Sequence, residues 1–395
     1  MARIILKHKR EESILRYHPW IFSGAIAQIV GHPAEGDLVD VYTAEGEQIA
    51  CGHYQVGSIA VRILSFSGDP HDPDFWRARI AAARALREAT LPADTDCYRL
   101  VHGEGDGLPG LVIDWYGGVC VLQAHSAGMF RAKAQICEAL RQVFGDALRA
   151  VYDKSAQTAP FKAGLELIDG YIWKAPDYDA TEMEVRENGH RFLVNWEEGQ
   201  KTGFFLDQRD NRALVERCAR GRNVLNLFCY TGGFSVYALA GGATHVDSVD
   251  SSAKAMLLTG RNVALNCPDA ETRHEGFCED AIDFLGKSPA GKYGLIIVDP
   301  PAFAKHRGAL KNALRAYQRL NAAAISRVAP GGFVFTFSCS QVVDKETFAL
   351  TVFSAAAQTE RSVRILDRLG QGADHPVSIY HPEGEYLKGL LLYVE

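Results

Sequence analysis

No two of the nine cysteines in this 395-residue chain stand in CxxC spacing; they fall at 51, 97, 120, 137, 218, 229, 267, 278 and 339. That absence removes the zinc-site signature, and no metal is expected. Also missing is any apolar run of the ~18 residues needed to span a bilayer, and the opening "MARIILKHKREES" is too short in apolar residues for a signal-peptide core. The expectation is a cytoplasmic protein with no membrane partner, whose cysteines are free thiols. Internal repeats and low-complexity segments are absent too. A net charge of -6 gives no broad positive field and argues against indiscriminate binding to polyanions.

What is present is an ordinary globular composition, 47% hydrophobic and 23% charged, on a chain longer than one core usually supports. Residues 1–70 alternate short apolar runs with Gly turns ("GDLVDVYTAEGEQIACGHY", "SIAVRILSF"), which predicts a small β-barrel or sandwich. The loop chemistry of "SGDPHDPD" marks a boundary. An amphipathic helix, "FWRARIAAARALREA", opens an α+β middle domain over 71–185. From 186 to 395, and most clearly after 207, apolar strands alternate with helices, which predicts a parallel sheet covered on both faces. The strands are "NVLNLF", "HVDSVD", "GLIIVD" and "GGFVFTFS". The closing strands "RSVRILDRL" and "EYLKGLLLYVE" can pair as a hairpin that adds one antiparallel member. The fold class is therefore α/β, with a Rossmann-like sheet following a small β domain and an α+β domain.

Ligands of such sheets sit outside the carboxyl ends of the strands, here near 226–233, 250, 299 and 339. The first strand runs into "NLFCYTGGFSVYALA", and Asp250 ends the second strand 17 positions after Gly233. A small-residue loop followed by an acid on the next strand suits an adenosine nucleoside, whose ribose the carboxylate can hold. The GxGxxG of a dinucleotide site is missing. S-adenosylmethionine fits better than a nicotinamide cofactor; a turn that needs glycine for purely structural reasons is the alternative. In "IIVDPPAFAK" two prolines stiffen the loop and fix Asp299 at the site, with Pro300 beside it and Phe303 close enough to stack on a planar substrate.

Cys339, in "FTFSCSQ", sits where a buried strand runs out into polar residues. A small apolar filler is the bland reading; a nucleophile at the functional edge is the sharper one. Two basic runs accompany these motifs. The first 16 residues carry Arg3, Lys7, Lys9, Arg10 and Arg16, and residues 305–320 carry Lys305, Arg307, Lys311, Arg315 and Arg319 with no acid. Such runs are often only solvated faces, but the second follows directly on "DPPAF".

"NLFCYTGGFSVYA", "DSVDSS", "CEDAIDFL", "DPPAFAK" and "FSCSQ", in this order, resemble the class I S-adenosylmethionine-dependent methyltransferases. With "GEGDGLPGLVID" and "KTGFFLDQRDNR" upstream, the whole chain resembles the bacterial 23S rRNA cytosine-C5 methyltransferases that carry an N-terminal PUA domain. The resemblance implies that Asn226, Phe228, Tyr230, Thr231 and Gly232 form the cofactor loop and that Asp250 holds the ribose. It further implies that Asp280 contacts the adenine and that Gln208 and Arg209 lie near the methionine end. The first domain would grip RNA, with Lys305, Lys311 and Arg315 as further substrate contacts, and the family suggests a homodimer. Phosphate contacts of this kind position a substrate without selecting a base.

The implied chemistry explains the cysteine. Cytosine C5 is a poor nucleophile, and addition of a thiolate to C6 makes it a good one. Cys339 would be that nucleophile, with Asp299 stabilising a protonated N3. An ordinary thiol of pKa about 8.5 is mostly protonated at neutral pH, so the site must activate it. Many RNA cytosine-C5 methyltransferases place a second cysteine directly after the motif-four proline. Here the stretch is "DPPAF" and that cysteine is missing, which leaves the C5 proton without an assigned base. Two other readings are a methyltransferase acting on a base nitrogen, which would leave Cys339 unexplained, and an RNA-binding protein that keeps the fold without catalysis.

Overall fold

The computed structural model describes residues 2–160, 163–304 and 306–395. The chain forms two compact units, each assembled from three segments: Met1–Met183, Val194–Phe204 and Ala373–Gly384 in one, Glu184–Leu193, Phe205–Gly372 and Glu385–Glu395 in the other.

The first unit holds two sheets. One has six strands in the order Trp20–Phe22, Ile59–Ser65, Gln48–Tyr54, Leu38–Tyr42, Ala2–Leu6, Ile26–Val30. Neighbours are antiparallel except Ala2–Leu6, which runs parallel to Leu38–Tyr42. Alternation decides which face is buried: Val39 and Val41 join Ile4, Leu6, Val61 and Ile63 in the core, while Asp40 between them points outward. The other sheet has five strands, Gly170–Lys174, Ala150–Asp153, Val119–Ala124, Leu111–Tyr116 and Cys97–His102. The helix Phe75–Thr90 buries Trp76, Ile80, Ala83 and Arg87, spaced at one side of a 3.6-residue repeat. Arg87 is tolerated inside because Asp106 receives its guanidinium through both oxygens, at 2.5 and 2.8 Å.

The second unit is built on seven strands: β1 (Asn223–Leu227), β2 (His245–Asp250), β3 (His274–Cys278), β4 (Tyr293–Val298), β5 (Val328–Ser338), β6 (Val363–Leu369) and β7 (Lys388–Val394). Their order in the sheet is β3-β2-β1-β4-β5-β7-β6. β1 to β5 are parallel, and β7 runs antiparallel to both of its neighbours, β5 and β6. The single antiparallel member expected from the closing strands is thus inserted inside the sheet. The edge strand β3 has no counterpart among the strands expected from sequence: "HEGFC" is short, polar and largely exposed.

The principal helices are α1 (Arg209–Ala219), α2 (Gly233–Ala240), α3 (Ala253–Asn266), α4 (Ala281–Lys287), α5 (Leu310–Arg327) and α6 (Lys345–Ala356). α2 packs against α1 and α3, and α5 against α4 and α6. Val224, Leu225 and Leu227 of β1 and Leu295–Val298 of β4 are buried on both faces, as apolar residues in a covered parallel sheet should be, and Asn226 is the buried polar exception. Strand order reverses between β1 and β4. Their carboxyl ends therefore open the crevice where a ligand binds in such a sheet.

Candidate active site

The chain leaves β1 through a strained loop. Phe228, Tyr230 and Gly232 all have positive φ, at 59°, 48° and 77°. For bulky non-glycine residues this conformation costs on the order of 1–3 kcal/mol each and persists only where the surroundings impose it. The surroundings do so here. Cys229 N–H donates to the Val249 carbonyl at 3.0 Å, and Tyr230 N–H to Asp250 Oδ2 at 3.0 Å. From α3, Thr259 Oγ1 donates to the Tyr230 carbonyl at 2.8 Å and Asn262 Nδ2 to the Thr231 carbonyl at 2.9 Å. Asn262 Oδ1 in turn accepts from Leu193 N–H at 2.9 Å. At Gly232 a Cβ would come within 2.7 Å of Thr259 Cγ2, so sterics as well as φ require glycine.

Asp250 ends β2 with Oδ2 on Tyr230 N–H and Oδ1 on Ser252 N–H. Each carboxylate oxygen keeps a second lone pair, enough to receive a ribose hydroxyl. Asp280, exposed at the end of β3, caps α4 through Oδ1, which accepts from the amides of Ile282 and Asp283. Asn226 is buried, and its Nδ2 donates to Ser235 Oγ at 2.8 Å. A chain of hydrogen bonds continues through Ser248 to His274, whose pKa burial lowers to about 4, so the imidazole is neutral. Among the described residues Asn226 Oδ1 has no hydrogen-bond partner, an acceptor left over at the end of β1 that suits a ligand with N–H or O–H donors. The strained loop, a carboxylate with lone pairs to spare and the leftover amide oxygen together fit S-adenosylmethionine.

Across the crevice, Asp299 follows β4 and receives Gln208 Nε2 at 3.0 Å on Oδ2. Gln208 Oε1 accepts from Asn211 Nδ2 at 2.6 Å, and that nitrogen also reaches the Gly370 carbonyl, which fixes the amide's orientation. Arg209 is buried, with Nε 3.6 Å from Glu187. Glu187, fully buried, takes Arg212 in a two-pronged pair at 2.7 Å on each oxygen and accepts from Tyr237 Oη at 3.0 Å. Pro300 is buried beside Asp299, and Phe303 packs its ring 4.7 Å from that of Tyr317.

The loops after β4 and β5 are tied together. Ser340 Oγ donates to the Ala304 carbonyl at 2.5 Å, and Ser338 Oγ to Tyr317 Oη at 3.0 Å. Cys339 stands between those serines and is half-exposed, whereas six of the nine cysteines are buried. Burial pushes the thiols of Cys51 and Cys229 up to about 12 and that of Cys137 to about 11, values at which no thiolate is present at neutral pH. Lys388, in β7, also belongs to this cluster: its side chain is buried and Nζ donates to the Ser340 carbonyl at 2.5 Å. A lysine heading the apolar run "KGLLLYV" was the available signal for it.

Lys311 and Arg315 are exposed on the first turns of α5. They line a groove of about 460 Å³ between α5 and α6, together with Leu310, Leu314 and Leu350. Lys305 lies outside the described residues.

A family model for S-adenosylmethionine-dependent methyltransferases matches residues 98–382, and one for a PUA-like domain matches residues 4–66. The fold is that of a class I methyltransferase preceded by a PUA-like domain, and S-adenosylmethionine is its cofactor. Among solved structures, a chain described as a SAM-dependent methyltransferase from Streptococcus mutans superimposes with a TM-score of 0.83 at 21% identity, over 100% of both chains. Another, described as a methyltransferase complexed with SAH, gives 0.84 at 21% identity over 100% of both chains. The ribosomal RNA large subunit methyltransferase I of Erwinia tasmaniensis is 40% identical over 98% of this chain and 98% of its own length. That of Pseudoalteromonas atlantica is 41% identical over 100% and 99%. The chain belongs to the ribosomal RNA large subunit methyltransferase I family. Among the described residues, no helix is long and apolar enough to cross a membrane.

Proposed function

We propose that this protein methylates C5 of a cytosine in 23S rRNA of the large ribosomal subunit, through a covalent bond between Cys339 and C6 of the base. The observation that carries the reading is the placement of Cys339. It is half-exposed at the carboxyl end of β5, in a turn that Ser340 fastens to the loop presenting Asp299.

The cofactor supplies an electrophilic methyl group on a sulfonium sulfur. The rest is the work of the chain. The Cys339 thiolate forms a C6–S bond with its own electron pair and moves the C5=C6 π pair onto C5, the atom to be methylated. Asp299, oriented by Gln208, hydrogen-bonds the ring and stabilises the protonated N3 that accompanies the attack. Loss of the C5 proton to a base then restores the double bond, and the C6–S pair returns to sulfur. The strained loop 228–232 with Asp250, Asp280 and Asn226 holds the cofactor. Lys311 and Arg315 offer cations to the phosphates, and the PUA-like domain grips the RNA. A ribosomal RNA substrate puts this work in the cytoplasm.

The test is a covalent trap. Protein, S-adenosylmethionine and large-subunit rRNA containing 5-fluorocytidine are incubated and run on a denaturing gel. Fluorine at C5 blocks the final elimination, so an adduct should accumulate with the wild type and be absent with Cys339→Ala. Methyl transfer to unmodified rRNA without any adduct would point to a base nitrogen and sink the C5 reading.

A further inference from the structure

Lys388 begins β7 directly opposite Ser338, the last residue of β5. The side chain is only 5% exposed, and Nζ donates to the carbonyl of Ser340. Ser338 and Ser340 flank Cys339. Among the described residues no carboxylate makes an ion pair with Nζ. The nearby acids are otherwise engaged: Asp344 caps α6 by accepting from Thr347 N–H at 2.7 Å, and Glu385 pairs with Lys345. A buried ammonium whose partner is a neutral carbonyl is a costly arrangement unless an anion forms beside it. Burial pulls the lysine's pKa down to about 8. The negative forms of Cys339, Asp344 and Glu385 act the other way, and Lys345 reinforces the drop.

The turn is faced by other groups as well. Tyr317 on α5 accepts from Ser338, and its phenol stays neutral because burial pushes it up further. Asp299, at the end of β4, acts on Tyr317 together with Cys339 and carries negative charge that opposes a thiolate. Ionisation of Cys339 therefore calls for a cation.

We propose that Lys388 is the positioning residue that activates Cys339: its ammonium pins the 338–340 turn through Ser340 and supplies the charge beside which the thiol ionises. The Cys339 S–H bond breaks with its proton going to water, and the electron pair stays on sulfur. This rests on the reading of Cys339 as a nucleophile, but it is a statement about the free protein and is tested without RNA.

The experiment is peptide-resolved alkylation with iodoacetamide across pH, following Cys339 by mass spectrometry in the full chain. In the wild type the rate should inflect below the range of an ordinary thiol. Lys388→Met should move the inflection upward and slow alkylation at pH 7 about tenfold, while Lys388→Arg, which keeps the charge, should recover part of the rate. Calorimetric binding of S-adenosylmethionine serves as the control for folding. A wild-type inflection at or above about 8.5 overturns the proposal with no variant needed. So does an unchanged profile in a Lys388→Met protein that still binds the cofactor. A shifted profile alongside a failed 5-fluorocytidine trap would keep the pair and discard the C5 chemistry instead.

Discussion

Gln208 Nε2 donates to Asp299 Oδ2 across 3.0 Å, joining residues 91 positions apart. Because Asn211 locks the other end of the amide, Asp299 is held in one orientation toward the crevice. Gln208→Glu keeps the shape but sets two carboxylates against each other. Methyl transfer should fall at least tenfold, in line with the roughly hundredfold cost of a small misplacement of reacting groups. Single-turnover transfer of labelled methyl checks this, and a rate within twofold of wild type would remove Asp299 orientation from the mechanism.

Gly232→Ala tests the cofactor loop. A left-handed φ of 77° costs a non-glycine residue roughly 1–2 kcal/mol, and the new Cβ would also press on Thr259. The loop should shift, and S-adenosylmethionine should bind at least about tenfold more weakly by titration calorimetry. Unchanged affinity would mean that the loop does not form the cofactor site.

Lys311→Glu with Arg315→Glu tests the basic groove. Each lost phosphate contact should lower the slope of log affinity against log salt by about 0.7 for a single strand. Binding to rRNA should weaken most at low salt, with cofactor affinity retained. Equal loss of both affinities would indicate misfolding and not a missing contact.

Lys388 also makes stability depend on pH. Its pKa drops from the ordinary 10.5 to about 8 in the folded protein, so between those values the unfolded chain binds more protons. Unfolding free energy must rise with pH across that window. The burial cost is fully present below pH 8 and gone above about 10.5. At pH 7, Lys388→Met should therefore stabilise the fold by roughly 2 kcal/mol, after allowing about 1 kcal/mol for the hydrogen bond to Ser340. The gain should vanish as pH approaches 10.5. Thermal melts at pH 7 and 10 measure the difference, and an equal effect at both would rule out this origin.

Much of the second unit was legible because local pattern and environment agree. β4 ends in the apolar run Leu295–Val298, and β1 and the body of β5 are apolar runs interrupted only by Asn226 and Thr336. α5, expected over 309–328, spans Leu310–Arg327. The strand β3 was not legible, since an exposed edge strand needs neither alternation nor apolar residues. Likewise "FTFSCSQ" and "DPPAFAK" announced a site at the strand ends, but the bond of Ser340 to Ala304 that ties them lies between loops 36 residues apart. Lys388 and Glu187 were missed for the same reason. Nothing in "KGLLLYV" says which strand it will lie beside, and a glutamate two positions before a Gly turn reads as solvated until Arg212 is seen to enclose it.

That enclosure bears on modularity. Glu187 belongs to the short segment Glu184–Leu193, separated along the chain from the rest of its unit by residues 194–204. A fragment begun at residue 205 would contain every strand of the seven-stranded sheet but would lose Glu187, the buried carboxylate that takes Arg212 in a two-pronged pair and lies 3.6 Å from Arg209. Stripping one partner from a buried ion pair costs about 3–5 kcal/mol, a large share of what holds a domain together. The unit built on the seven-stranded sheet is therefore not a transplantable cassette. Any graft, swap or truncation has to carry the 184–193 ribbon along with the sheet.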